Sequence, residues 1–363
     1  MSSKISGRIV FLDYMRVFAF MSVLIGHKLE LQLQAFIANG SQHATLRLIA
    51  ELAYTLCLGG AAGVVVFFLT SGYIISHVLQ MEAPLEFMIK RIFRIYPLYV
   101  VAVLLEWVMW HHLNNIPFPP LSVLIPQLLL IGDFFQTPNT LASVEWTLRI
   151  EVMFYLYMGL LKAVGAFRQQ NRLPWILFGS ACVLYLLPQI PGKEMWNHGY
   201  FTLYAPFLLM GSLVYLMEVG TANRKSCAVI IGIMFLIYML LISRFQPGWS
   251  QSHFAIMALG IFVTGWLYGS KLPDGKILRM ASDLTYSVYL FHNWLWLYLS
   301  LLVAGRGFKS VSPSLQTFIL LIVVCYFMHK TIEMQGIKLG KKVLVFYRNR
   351  AKAPSTIIPV GAP

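Results

Sequence analysis

Charge is scarce in this chain: 12% of its 363 residues are Asp, Glu, Lys or Arg, against 58% that are hydrophobic. Soluble domains carry about twice that share of charge, so a water-soluble class is excluded before any motif is read. Cysteine is sparse too. Cys57, Cys182, Cys227 and Cys325 sit in or beside apolar blocks, far apart, with neither metal-ligand nor redox-motif spacing. They read as small core residues. There is no His-Glu-x-x-His run and no glycine-rich phosphate loop, so no metal is expected. No internal repeat is visible, which counts against a secondary transporter built from duplicated halves. A cleavable signal is also missing. The first apolar block is long, carries charges and lacks a small-residue cleavage site, so it is expected to stay as a span.

What the chain does have is apolar blocks of about 20 residues from end to end, the length that crosses a bilayer. They predict an all-α, polytopic membrane helix bundle of about ten spans: 9–31, 52–80, 92–112, 143–163, 173–191, 199–218, 226–244, 250–269, 283–304 and 312–333. One membrane domain, 1–335, is followed by a tail, 336–363, basic at first and then Pro-rich. The net charge of +14 would suggest nucleic acid in a soluble protein. Here its distribution gives a better account. With the N-terminus inside, 20 of the 28 Lys and Arg fall on cytoplasmic segments and 6 on outer ones. That bias predicts both termini in the cytoplasm and the tail on the anionic inner leaflet. The segment His111–Ala142 is the exception. It contains no Lys or Arg, is broken by five prolines, and reads as an outer lid or re-entrant hairpin whose backbone protein must cover.

The first span carries Asp13, Arg16 and His27, and ionisable groups in hydrocarbon face a protein interior or a wet cavity. At about 100° per residue, Arg16 and His27 differ by roughly 20° after whole turns, and Asp13 lies about 40° from His27, so the three share a face. Arg16 and His27 are about 16 Å apart along the axis. One helix thus offers a cation near the inner side and a titratable imidazole near the outer side. A polar helix-packing face is the alternative for these residues alone.

Further along, Gly63, Ser71 and Gly72 allow close helix approach. Ser71 has no base beside it in sequence to make it a nucleophile. Arg91 and Arg94, three apart at the cytoplasmic start of the third span, share a face, and paired guanidinium groups suit phosphate. A positive-inside anchor explains the same charges. Arg94 lies just inside the apolar boundary, and Tyr96-Pro97 constrains the helix after it. The fourth span opens with Glu145-Trp146-Thr147-Leu148-Arg149-Ile150-Glu151. Glu151 falls at a depth similar to that of His27, where a carboxylate could orient the imidazole. A structural ion-pair network is the alternative. Arg149 and Glu151, two apart, are each expected to find a partner on another span. His292 lies in the ninth span, where a helix–helix hydrogen bond accounts for it. Glu333 is placed to pair with a basic loop.

Taken together these residues resemble the acyltransferase-3 family of integral membrane O-acyltransferases, from Leu12 to about Glu333. Four motifs appear in the family's order. They are Leu12-Asp13-x-x-Arg16 with His27 eleven residues on; Gly63 through Phe67-Phe68 to Ser71-Gly72-Tyr73; Arg91-x-x-Arg94-Ile-x-Pro97-x-Tyr99; and Trp146-Thr147-x-x-x-Glu151-x-x-Phe154-Tyr155. Tyr286 to His292 resembles the family's late Ser-Tyr-x-x-Tyr-Leu-x-His segment. Thr147 replaces the family's usual serine and keeps a hydroxyl; Glu333-Met-Gln departs from its usual Glu-Lys-Pro.

The resemblance implies ten core spans and transfer of an acyl group, usually acetyl, from cytoplasmic acyl-CoA to a hydroxyl on an extracytoplasmic or lipid-linked glycan. Arg91 and Arg94 would hold CoA phosphates, and Arg16 would line the path of the pantetheine. His27 would be the general base, with Glu151 and Asp13 in the same catalytic or positioning layer. Trp146, Tyr155 and His292 would contact substrate. Direct attack on the thioester needs no acyl-enzyme, and no fused soluble esterase-like domain is expected. Expected partners are the glycan acceptor, membrane lipids and polysaccharide-synthesis machinery, at the cell's inner membrane. Acetyl-CoA or another acyl-CoA is the expected donor. A polar-solute transporter using the buried charges as a proton relay is the second reading, and a membrane scaffold the third.

Overall fold

In the computed structural model, residues 8–169, 171–192, 198–250 and 253–352 are described. Among them every regular element is helical. The chain runs α1 Val10–Lys28, α2 Glu30–Ala38, α3 Ala44–Cys57, α4 Ala61–Met81, α5 Pro84–Asn114, α6 Leu121–Leu128, α7 Trp146–Ala163 and α8 Leu173–Leu186. It continues as α9 Tyr200–Glu218, α10 Arg224–Phe245, the single turn α11 Pro247–Ser250, α12 Phe254–Leu267, α13 Lys276–Phe291, α14 Trp294–Arg306, α15 Pro313–Met328 and α16 Met334–Lys352.

Six stretches are long and apolar enough to cross a bilayer: α1, α3 with α4, α5, α9, α10, and α15 with α16. α13 and α14 make a seventh if the 88° bend between them belongs to one broken span. Each of the ten expected spans overlaps a helix or a helix pair. The remainder fall short because α8 and α12 are only 14 residues each, and α7 carries Arg149, Glu151 and Lys162. Large apolar side chains point outward on the peripheral helices, among them Leu156 and Leu160 on α7, Leu236 and Leu240 on α10, and Leu301 on α14. Water would penalise such a surface, and lipid tails would not.

α4 and α9 form the centre, with α1, α7 and α12 also packed on α4. Their approach is close because both present glycine at the crossing. A Cβ on Gly72 would meet the Leu208 carbonyl oxygen at 1.9 Å, and one on Gly211 would meet the Leu69 carbonyl at 2.0 Å. Ser212 Oγ donates to the Gly72 carbonyl at 3.2 Å across the same seam. This is the small-residue packing that takes the place of a hydrophobic driving force in lipid. Gly72→Val is therefore expected to leave no monodisperse, detergent-soluble protein by size-exclusion chromatography, whereas Gly179→Val, with nothing within 4 Å, should behave as wild type.

Two elements extend beyond their sequence boundaries. The third span belongs to a helix of 31 residues that starts at Pro84, where proline is accommodated in the first turn. The last span runs through a π-helical stretch, His329–Glu333, into α16, so helix continues across residue 335. α16 lies against α5, with Gly336 and Gly340 beside Pro97 and Phe93, and Arg348 donating to Glu86 at 2.5 Å. The Pro-rich end, 353–363, and Lys193 of the outer segment lie outside the described residues.

Past the end of α5 at Asn114, the longest helix in the segment His111–Ala142 is α6, of eight residues, about 12 Å long and too short to cross. The stretch around Gln127 is tied to α5, while much of the rest is exposed. Tyr99 donates to the Gln127 carbonyl at 2.7 Å, Trp107 to the Gln127 side chain at 3.2 Å, and Gln127 itself to the Pro138 carbonyl at 2.8 Å. Leu141, Ala142 and Ser143 follow with φ of 54°, 48° and 69°, the left-handed region that L-residues disfavour. Buried Glu106 holds that turn by accepting the backbone N–H groups of Leu141 at 2.5 Å and Ala142 at 3.1 Å.

Candidate active site

A cavity of about 900 Å³, its open mouth included, lies between α1, α4, α5, α7 and α13. α1 brings Arg16 and, a turn and two turns further on, Phe20 and Val23 to its wall. α5 contributes Arg91 and Arg94, so the guanidinium groups of two helices converge on one end. Their counter-charges are unequal. Arg16 lies 3.8 Å from Asp13, and Arg94 lies 3.5 Å from buried Glu333, which also holds His329 at 2.9 Å. Arg91 is paired with no carboxylate among the described residues. Its Nε is buried without a hydrogen-bond partner, and its plane sits over Phe87 at 5.4 Å and Tyr155 at 6.0 Å. A partly buried cation lacking an anion leaves room for an anionic ligand.

Beyond the arginines the wall is hydroxyl-rich. Glu151 accepts hydrogen bonds from Ser71 Oγ at 2.7 Å and from the Tyr155 hydroxyl, drawing α4 and α7 together inside the bundle. The Tyr286 hydroxyl donates to the Ile95 carbonyl at 2.7 Å. Further out, the Tyr289 hydroxyl donates to the Val144 carbonyl at 2.8 Å and meets Thr147 Oγ1 at 2.5 Å. The Tyr289 ring stacks on Phe67, with centroids 6.3 Å apart. These two rings and Val23 line the end of the cavity away from the arginines. His27 lies one turn of α1 beyond Val23, near the C-terminal end of the helix, and is exposed as a residue.

The sequence suggests that Glu151 lies near the depth of His27; the structure places it nearer the Arg16 end of α1. α4 runs antiparallel to α1, with Gly63 beside Ala19 and Ser22, and Tyr73 in edge contact with Phe11. Ser71, and with it Glu151, therefore lies near the level of Arg16. Along α13 the same order holds: Thr147 meets Tyr289, Glu151 is one turn further in, and His292 is most of a turn further out. The separation of Glu151 and His27 along the bundle is at least about two turns, roughly 10 Å. The partner of His27 is instead His292, whose Nε2 is 3.2 Å from His27 Nδ1, with the rings stacked at 5.2 Å.

Asp13 is buried and outside the cavity wall. It is bound by Arg8 Nε at 2.5 Å and Ser282 Oγ at 2.6 Å, fastening the start of α1 to α13. Trp146 also stands behind the wall, packed on Tyr200 at 4.5 Å and Tyr204 at 5.4 Å. Tyr155 lines the cavity, and His292 is buried at the break between α13 and α14. Arg149 differs from expectation. Its partners are Asp133 in the loop before α7 and Glu145, the N-cap residue one turn back, because α7 begins here and the loop folds over its first turn.

Sequence reasoning gave no weight to Ser71 as a partner of Glu151, since residues 80 apart carry no local signal of contact. Among the described residues no cluster of three or more His, Cys, Asp or Glu is arranged to hold a metal ion.

The family model described as an acyltransferase domain matches residues 9–329. Among curated proteins, the chain is similar to the acyltransferase MdmB of Streptomyces mycarofaciens, 29% identical over 197 residues, covering 51% of this chain and 48% of that protein. It is also similar to the peptidoglycan O-acetyltransferase OatA of Listeria monocytogenes, 27% identical over 294 residues, covering 68% of this chain and 47% of that protein. The matches thus span about half the length of each of these relatives. No solved structure matches.

Proposed function

The chain belongs to the acyltransferase-3 family, whose domain accounts for most of its length, and on that premise we propose that it is a membrane O-acetyltransferase. It moves an acetyl group from cytoplasmic acetyl-CoA to a hydroxyl of an extracytoplasmic or lipid-linked polysaccharide. The observation that carries this reading is a single cavity that begins at three convergent arginines and ends one turn short of a histidine at the opposite end of α1. OatA, named for O-acetylation of peptidoglycan, favours acetyl as the group and a glycan as the acceptor.

Arg91, with Arg94 and Arg16, binds the phosphates of the donor, where forked donors and an unpaired cation give most to an anion. The thiol arm runs outward along Ser71 and Thr147 and passes the Phe67–Tyr289 pair towards His27. The acceptor hydroxyl comes from the outer side. His27 takes its proton, and the oxygen attacks the thioester carbonyl, forming the C–O bond. The tetrahedral intermediate collapses with loss of the C–S bond, and the leaving thiolate recovers the proton from His27 as free CoA thiol. Glu151, by holding Ser71 and Tyr155, fixes the wall along which the arm lies. The topology that serves this chemistry has ten spans, both termini in the cytoplasm and the inner membrane as its site, beside the machinery that makes the polysaccharide.

Purified protein in vesicles, given labelled acetyl-CoA and a panel of glycan acceptors, tests the reading. Label on a sugar hydroxyl supports it. Movement of a solute without any use of acetyl-CoA would replace it with transport. Because Ser71 touches Glu151, a two-step route through an acetyl-serine is also open to test. Direct transfer expects Ser71→Ala to cost no more than one hydrogen bond to a carboxylate, about 1.5–3 kcal/mol or roughly 10- to 150-fold in rate. Acceptor-free labelling of wild-type protein that disappears in Ser71→Ala would establish the two-step route.

A further inference from the structure

We propose that His292 is a positioning residue that sets the tautomer of His27 and so leaves His27 Nε2 as the base; the proposal deepens the O-acyltransferase reading and takes His27 from it. A neutral histidine has one N–H and one lone pair, and which nitrogen carries which is decided by its neighbours. Here the Tyr289 carbonyl and the two rings form a chain whose direction is set from the carbonyl end. His292 Nδ1 is 2.8 Å from the Tyr289 carbonyl oxygen, which can only accept, so Nδ1 carries the proton. His292 Nε2 is then a lone pair. It faces His27 Nδ1 at 3.2 Å, so His27 Nδ1 must donate. The lone pair of His27 is thereby left on Nε2.

Burial makes this direction firm. His292 is 1% exposed, so its Nε2 has no water to turn to, and a buried acceptor left unmade costs about 1–3 kcal/mol. The break between α13 and α14 is what presents it. At an 88° bend the helix ends, and the Tyr289 carbonyl, no longer taken by an intrahelical N–H, is free for the ring. Asn293 pins the same corner by donating to the Ala142 carbonyl at 2.7 Å. A competitor exists: the Gly59 carbonyl also lies beside the His27 ring. His292 as acceptor and Gly59 as acceptor contend for the single proton of neutral His27, and only the first frees Nε2. When His27 takes the acceptor's proton, its Nδ1–H bond to His292 is kept and gains charge, which stabilises the imidazolium.

The test uses full-length protein in lipid nanodiscs with ¹⁵N-labelled histidine, His27 being assigned by comparison with His27→Asn. Expected are a protonated-type Nδ1 and a lone-pair-type Nε2 for His27 in wild type, and loss of that fixed pattern in His292→Ala. In the vesicle assay His292→Ala should lower kcat roughly tenfold to a hundredfold, the scale for orienting partners of other histidines, with KM for acetyl-CoA unchanged. His292→Gln, whose side-chain oxygen can take the Nδ1–H bond, should recover most of the rate. A wild-type His27 protonated on Nε2 would overturn the proposal, as would an unchanged pattern or unchanged kcat in His292→Ala. If His292→Ala does not fold, the wild-type shifts and the Gln variant still decide. If wild type transfers no acetyl group, the enzyme reading fails, and the nitrogen shifts alone still show whether His292 sets the tautomer.

Discussion

His27→Asn is expected to lose acetyl transfer by about 10²–10⁴-fold in kcat, the usual contribution of a general base, with KM for acetyl-CoA little changed. Asparagine is the informative replacement. Its amide N–H sits where Nδ1 does and can still donate to His292 Nε2, 3.2 Å away in the native pair, while nothing replaces the lone pair on Nε2. Alanine would instead leave the buried His292 acceptor empty, adding a stability cost to the loss of the base. A folded His27→Asn that binds acetyl-CoA and fails to transfer assigns the loss to chemistry. If it transfers at the wild-type rate, His27 is not the base, and the outward histidine pair has some other use. Acceptor-independent hydrolysis of acetyl-CoA should fall in parallel, because water needs the same base.

Much of this site was legible because it is written in one helix. The common face of Arg16 and His27 follows from 3.6 residues per turn, and the separation of a cationic end from an imidazole end follows from the rise. The all-helical fold was legible in the same way, since only helices satisfy their backbone within an apolar block. What could not be read is which helices touch. Counting from the start of its span puts Glu151 at the depth of His27. The antiparallel packing of α4 on α1, fixed by Gly63 against Ala19 and Tyr73 against Phe11, puts it near Arg16 instead. Ser71 has no base beside it in sequence, and its partner arrives from 80 residues away. An intramembrane His292 suggests a helix–helix hydrogen bond. That is what it makes, but its direction depends on the Tyr289 carbonyl freed at a helix break, and no pattern in the sequence marks that break.

The arginines differ in how cleanly they can be tested, and this selects Arg91. Arg94 stands 3.5 Å from Glu333, a carboxylate with no exposure that is also bound to His329. Removing Arg94 leaves that charge without its cation, which costs about 3–5 kcal/mol for a buried pair, and the variant would report folding as much as binding. Arg16 shares Asp13 with Arg8 and Ser282, so it is tied into the anchor between α1 and α13. Arg91 has no such tie among the described residues, and its Nε is unmatched. Arg91→Ala is therefore expected to fold and to weaken acetyl-CoA by one charge-assisted contact, about 2 kcal/mol, or roughly 30-fold in KM, with kcat nearly unchanged. Arg91→Lys should recover only part, because a point charge cannot reproduce the fork. Repeating the measurement with acetyl-CoA lacking its 3′-phosphate closes a double-mutant cycle. If Arg91 binds that phosphate, removing it should cost wild type about as much as the mutation does and cost Arg91→Ala little. Additive losses would move Arg91 to the pyrophosphate, and an unchanged KM in both would remove the donor from the arginine end of the cavity altogether.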